Sequence, residues 1–170
     1  GGPRPGGMRQ RESLVMRRTM RWWILVLCSL SVSVYADGPE PLIEQYENAL
    51  RQQSSAKLEA VLSEKLSVEV TLLMADEDPV TVSLSRDEFL QQQRALWLFS
   101  TEHAFDFSRP VVKRVNQESG RQRWEVTLEQ QERYALFRST LKRDNQITLI
   151  VEQHDDVQRI SAMNVVTREW

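Results

Sequence analysis

SVEVTLLMADEDPVTVSLSRDEFL, from Ser67 to Leu90, decides the fold. Val68, Val70 and Leu72 alternate with Glu69 and Thr71, the acidic stretch Asp76-Glu77-Asp78-Pro79 interrupts, and Val80, Val82 and Leu84 alternate again. A period of two on both sides of a turn is a β-hairpin with one buried face. The period then changes. Ser85-Arg86-Asp87-Glu88 is a capping box, with Ser at the N-cap and Glu three residues later, each side chain expected to take the other's backbone N–H. It opens a helix through Phe89, Leu90, Leu96 and Trp97.

Upstream, after the breakers Gly38, Pro39 and Pro41, the apolar residues Leu42, Ile43, Tyr46, Ala49 and Leu50 recur at helical spacing. Glu44, Gln45, Glu47 and Asn48 occupy the other face. Ser54 and Ser55 end this helix and cap a shorter one carrying Leu58, Val61 and Leu62. From His103 onward the pattern predicts strands alone. Phe105 and Phe107, with Val111, Val112 and Val115 beyond Pro110, read as one strand; Ser119-Gly120 turns into Trp124, Val126 and Leu128, alternating with Glu125, Thr127 and Glu129. The next segment has two readings. Tyr134, Leu136 and Leu141 belong either to a strand turning at Asp144-Asn145, or to a loop entering one long strand from Ser139 to Glu152. His154-Asp155-Asp156 is a polar turn, and Ile160, Ala162, Met163, Val165 and Val166 close the sheet. The expected architecture is α+β, with three N-terminal helices packed on a mostly antiparallel sheet of about six strands.

The N-terminus reads as an address. Arg17, Arg18 and Arg21 flank an apolar run from Trp22 to Val34, and Val34-Tyr35-Ala36 suits signal peptidase. Residues 1–19 read as an expression scar or an over-long reading frame, 20–36 as a signal peptide cleaved between Ala36 and Asp37, and 37–170 as one domain. The run holds Ser29, Ser31 and Ser33 and falls short of the ~20 apolar residues that a span needs, so an uncleaved membrane anchor is the alternative. The protein is expected to be periplasmic or secreted, with no stable anchor after cleavage.

The formal charge of −2 hides an asymmetry, because six of the 22 basic residues precede Trp22, leaving −7 from Asp37 onward. A net-negative domain is a poor partner for phosphate backbones, so nucleic-acid binding is disfavoured. Cys28 is the only cysteine, which leaves the mature domain without thiolate chemistry or disulfides. His103 and His154 are the only histidines and neither has a second ligand at helical or strand spacing, so no metal or other cofactor is expected. Asp76-Glu77-Asp78 precedes a proline and fits a solvated turn better than a calcium loop. His103, near Glu102 and Asp106 at a strand start, is a candidate for acid–base work. The rings of Trp97, Phe105, Phe107, Trp124 and Tyr134 are candidates for lining a pocket, and equally suit a core.

The order helix, short helix, hairpin, helix and long meander resembles the nuclear transport factor 2-like superfamily, with its ketosteroid isomerase-like and SnoaL-like members. The resemblance spans Glu40 to Val166. It is carried by Ala49-Leu50-Arg51-Gln52-Gln53-Ser54-Ser55-Ala56-Lys57-Leu58, by Ala60 to Val70, and by the helix start Ser85-Arg86-Asp87-Glu88-Phe89-Leu90. It implies a curved, cystatin-like sheet wrapped around the helices as a cone, a pocket at the open end, and homodimerisation through the sheet. It also implies a tyrosine near Tyr46 and a carboxylate base in the first strand. Val70 stands at that second place, and Glu69, one residue off, points to the other face. A valine cannot take a proton. The expectation is therefore an exported, non-catalytic domain that binds a small apolar molecule or a partner protein. The alternative is an isomerase, dehydratase or hydrolase using Tyr46, His103 or Asp106. Two ionisable side chains converging on one cavity would favour the enzyme, and a cavity filled by Trp97 and Trp124 the binding domain.

Overall fold

The computed structural model describes Gly2 and residues 38–115 and 121–170. The signal segment, the Ala36-Asp37 junction and the Ser119-Gly120 turn lie outside the described residues. Contacts divide the chain after Asp37, and the elements below all belong to the unit Gly38–Trp170.

Helix α1 spans Glu40–Arg51 behind Pro39, and buries Leu42, Ile43, Tyr46, Ala49 and Leu50, the helical-period residues. Helix α2, Ser55–Val61, starts where the Ser54 Oγ accepts the Lys57 N–H at 3.2 Å. Strands β1, Leu62–Leu73, and β2, Val80–Ser85, form the hairpin, with Val68 opposite Leu84 and Val70 opposite Val82. Helix α3, Arg86–Phe99, begins at Ser85, whose Oγ accepts the Glu88 N–H at 3.3 Å. One half of the capping box is different from expectation. The Glu88 carboxylate accepts from the Ser85 hydroxyl at 3.1 Å, and Ser85 is still a strand residue paired with Ser67.

The remainder is sheet: β3 Ser100–Phe107, β4 Val111–Val115, β5 Gln122–Leu136, β6 Ser139–His154 and β7 Val157–Glu169. The seven strands among the described residues run in the order β2-β1-β7-β6-β5-β3, with β4 also on β5. Of their pairings only β1–β7 is parallel. Two expectations are corrected by this sheet. The single strand expected from Phe105 to Val115 is two, β3 and β4, lying along different stretches of β5. Pro110 has no N–H to give a ladder, and the Ser108 N–H and Oγ instead bond the Glu129 O and N–H, both at 2.8 Å. This split raises the strand count from about six to seven. The long strand from Ser139 is correct, but no loop leads into it: β5 continues to Leu136 and turns through Phe137-Arg138, with Phe137 at φ 57°.

The core lies between the helices and one face of the sheet. Trp124, Val126 and Leu128 of β5 and Val151, Leu149 and Ile147 of β6 supply its floor, with Ile160 and Met163 of β7 beside them. Burying Leu149 alone contributes about 1.5–3 kcal/mol. No helix among the described residues is long and apolar enough to cross a membrane.

Candidate functional site

Strand β5 alternates strictly, and the alternation does not stop where the hydrophobic residues do. Trp124, Val126 and Leu128 are followed on the same inner face by Gln130, Glu132 and Tyr134, all buried. Because Gln130 pairs with Asn145 and Glu132 with Arg143, β6 turns polar at the same level. Asn145 in turn pairs with Thr167 of β7. The inner face is thus apolar at one end and hydrogen-bonding at the other.

A cavity of about 120 Å3 sits over this boundary. Helix α1 brings Tyr46 and Leu50 to it, and α3 brings Phe89, Gln92 and Gln93. The sheet supplies Gln130, Glu132, Arg143, Asn145 and Thr167 as polar wall, and Val70, Leu84, Ile147, Met163 and Val165 as apolar wall. At ~30 Å3 per water, the space holds roughly four waters. It is smaller than the ~300 Å3 at which drug-sized pockets begin.

Glu132 is 7% exposed. Burial pushes its carboxyl above the usual carboxylate range, while the Arg143 charge and a hydrogen bond with Asn145 pull the other way. Tyr46, 2% exposed, has its phenol raised by burial and then by the Glu132 charge. Arg143 is held by Glu169 at 2.8 Å and lies over the Tyr134 ring at 5.2 Å. Burial works against its charge, but Glu169 and the neighbouring acids outweigh that effect. The cavity wall therefore offers a buried carboxyl whose neutral form burial favours, a phenol and a fixed cation, and each interaction there is stronger than in bulk water.

His103 is brought behind this wall, beside Glu132, by an irregularity. Thr101 pairs with Ala135 but Ala104 with Arg133, so one extra residue bulges between them, and Glu102 takes a φ of 54°. A bulge re-aims the side chains beside it. The imidazole stacks between Phe105 and Tyr134, with centroids at 5.7 and 5.5 Å, and its Nδ1 lies 3.9 Å from Glu132 Oε1. Burial lowers its pKa, against a hydrogen bond to the Leu96 backbone.

The remaining sequence candidates separate. Asp106 faces Gln131 on the outer side of the sheet and is exposed, so it does not join His103; in a strand, three residues apart means opposite faces. Among the aromatic candidates only Tyr46 lines the cavity. Trp124 and Tyr134 are buried, Trp97 and Phe107 pack partly buried against the core, and Phe105 continues the ring stack toward Phe107 at 6.2 Å. Val70 does face the cavity and Glu69 is exposed on the other side, as the strand parity predicts. Among the described residues no group of three potential metal ligands comes together, and Asp76-Glu77-Asp78 is an exposed turn. Sequence reasoning passed over Gln130, Glu132, Arg143, Asn145 and Thr167. Extending the period of two from Leu128 by two more steps finds the first two.

No family model matches the chain, and no curated protein matches its sequence. Solved structures do match. A nuclear transport factor 2-like protein of Rhodospirillum rubrum, described as of unknown function in nutrient uptake, superposes with a TM-score of 0.59 at 14% identity, over 76% of this chain and 97% of that one. A nuclear transport factor 2-like protein of Cytophaga hutchinsonii gives 0.54 at 10% identity, over 74% and 92%. A ketosteroid isomerase-like protein of Erwinia carotovora atroseptica gives 0.50 at 8% identity, over 75% and 92%.

Proposed function

We propose, from the premise that this chain has the nuclear transport factor 2-like fold, that its cavity binds a small hydrogen-bonding molecule and performs acid–base chemistry on it through Glu132. The observation that carries this reading is the convergence of Glu132, Tyr46 and Arg143 on one cavity. Trp97 and Trp124 are not among its walls, and polar side chains make up one side of it. The carboxylate that Val70 cannot supply from β1 comes instead from β5. In this reading Glu132 donates to or accepts from the ligand, Tyr46 donates to an oxygen that gains negative charge, and Arg143 stabilises that charge. The volume admits a molecule the size of a single ring, and an isomerisation or elimination next to a carbonyl suits these groups.

Phenols, planar and acidic like an enol, test this. Ligand-observed NMR on the domain should give binding that weakens about tenfold in Glu132→Gln and in Tyr46→Phe, the value of one charge-assisted hydrogen bond. Binding indifferent to both substitutions would refute the site. Turnover of small ketones, abolished by Glu132→Gln, would establish the reaction.

A binding domain for a partner protein is the second reading. One observation favours it: Ser100 pairs with Leu136, and the flanking Phe99 and Phe137 are 64% and 90% exposed, with Leu98 at 76%. Self-association is the occupant that the family resemblance favours. Sedimentation should then shift toward monomer in Phe137→Asp.

The domain reaches its compartment by export, with cleavage between Ala36 and Asp37. The Arg17, Arg18 and Arg21 flank and the short apolar run support this. Mass spectrometry of the exported protein should find Asp37 first, and retention of Trp22 to Ala36 in membranes would favour the anchor instead.

A further inference from the structure

The Leu96 carbonyl can only accept a hydrogen bond. The Ser100 Oγ is in hydrogen-bond contact with that carbonyl and also with His103 Nε2. A hydroxyl has one proton. With that proton on Leu96, a lone pair faces Nε2 and the ring's hydrogen lies on Nε2. In a neutral imidazole the other nitrogen, Nδ1, is then a bare lone pair. That Nδ1 is buried and has no partner, and the acceptor facing it at 3.9 Å is Glu132 Oε1. The two side chains are 2% and 6% exposed. A lone pair facing a carboxylate in so dry a place is repulsive, and a single proton between them removes the repulsion.

We infer that Glu132 and His103 share one proton, which makes His103 the positioning residue that holds and returns the proton of Glu132 behind the cavity wall. In one state the Glu132 carboxyl O–H points to a neutral Nδ1. In the other the O–H bond has broken and an N–H bond has formed, giving imidazolium beside carboxylate. The proton count is the same in both, and no co-reactant is needed. Direct contact requires about 1 Å of approach by the Glu132 side chain. The ring itself is fixed between Phe105 and Tyr134 and tethered through Ser100 to the end of α3. Other groups meet Glu132 from every side: Tyr46 from α1, Arg143 and Asn145 from β6, and Glu169 from β7. Arg143 and Glu169 neutralise each other in their ion pair, which leaves His103 as the base available to the Glu132 proton. The functional meaning of the pair rests on the acid–base reading of Glu132: a carboxyl that gives its proton to a ligand regains one from His103, and one that takes a proton can pass it back.

Long-range 1H–15N correlation of the histidine rings in the full chain tests the inference without any substrate. Only two histidines are present, and His154→Gln identifies the signals of His103. The expected spectrum has the hydrogen on Nε2, and an Nδ1 signal displaced from that of a free acceptor toward that of a protonated nitrogen. In Glu132→Met, of like length and apolar, the displacement should vanish. A hydrogen on Nδ1 with Nε2 bare, or an Nδ1 signal unchanged in Glu132→Met, overturns it. Should Glu132→Met not fold, the parent decides: a displaced Nδ1 signal from pH 5 to 8 supports the shared proton, and one full protonation step, as of an isolated histidine, refutes it. Phenol binding that is absent from the parent, or indifferent to Glu132→Gln and Tyr46→Phe, would strike the cavity reading and leave this result standing, and the wrong tautomer would do the reverse.

Discussion

Replacing Glu132 with glutamine should make the stability of the domain depend less on pH. Glu132 is 7% exposed, so ionising it strips a carboxylate of water at an effective cost of several kcal/mol. A charge-assisted hydrogen bond returns about 1.5–3 kcal/mol, and part of Arg143 is already committed to Glu169. The balance is about 1–3 kcal/mol against the ionised folded form. Because the folded-state pKa lies above the ordinary 4.5, the folded chain holds a proton that the unfolded chain has released. That contribution is complete below the unfolded value and is lost as pH rises through the raised folded one. His103 acts with the opposite sign. Its folded pKa lies below the ordinary 6.5, so its contribution is complete above that value and is lost as pH falls through the lowered one. Comparing parent with variant cancels the groups remote from Glu132 and leaves the titration of Glu132 together with that of the His103 coupled to it. Urea melts from pH 4 to pH 8 should show parent stability falling by about 1–3 kcal/mol relative to Glu132→Gln, a midpoint shift on the order of 1 M. A flat difference would refute a protonated, buried Glu132.

Ser85→Ala should lower stability by ~1 kcal/mol in the same melts, since the Glu88 N–H loses its acceptor and the Glu88 carboxylate its donor. Trp124→Ala should cost ~3–5 kcal/mol, as large-to-small changes do in a closed core, because its side chain is 5% exposed. Trp97→Ala should cost less, about 1–3 kcal/mol, because that ring is only partly buried and its buried indole N–H has no partner to lose. Equal losses at the two tryptophans would place Trp97 deeper than its packing indicates.

What could be read along the chain was local. Helix α1 follows from the spacing of Leu42, Ile43, Tyr46, Ala49 and Leu50, helix α3 from Ser85 and Glu88, and the hairpin from alternation on either side of an acidic turn. Each depends on a period or a cap within a few residues, so α+β class and helix order needed no long-range contact. Strand parity likewise sent Glu69 outward and Val70 inward. The site needed more. His103 and Glu132 are 29 positions apart, and they meet because β3 pairs with β5 in a register shifted by a bulge at Glu102. Without that extra residue His103 would have the parity of the opposite face, and nothing in Ser100-Thr101-Glu102-His103 marks the shift. Asp106 failed as a candidate for the same reason: nearness in sequence is not nearness across a sheet. The buried Glu132 was written into the alternation of β5, but a glutamate at an inward position carries meaning only once Arg143, Asn145 and Tyr46 are seen to converge there. Periodicity decides which way a side chain points; pairing register and packing decide what it meets.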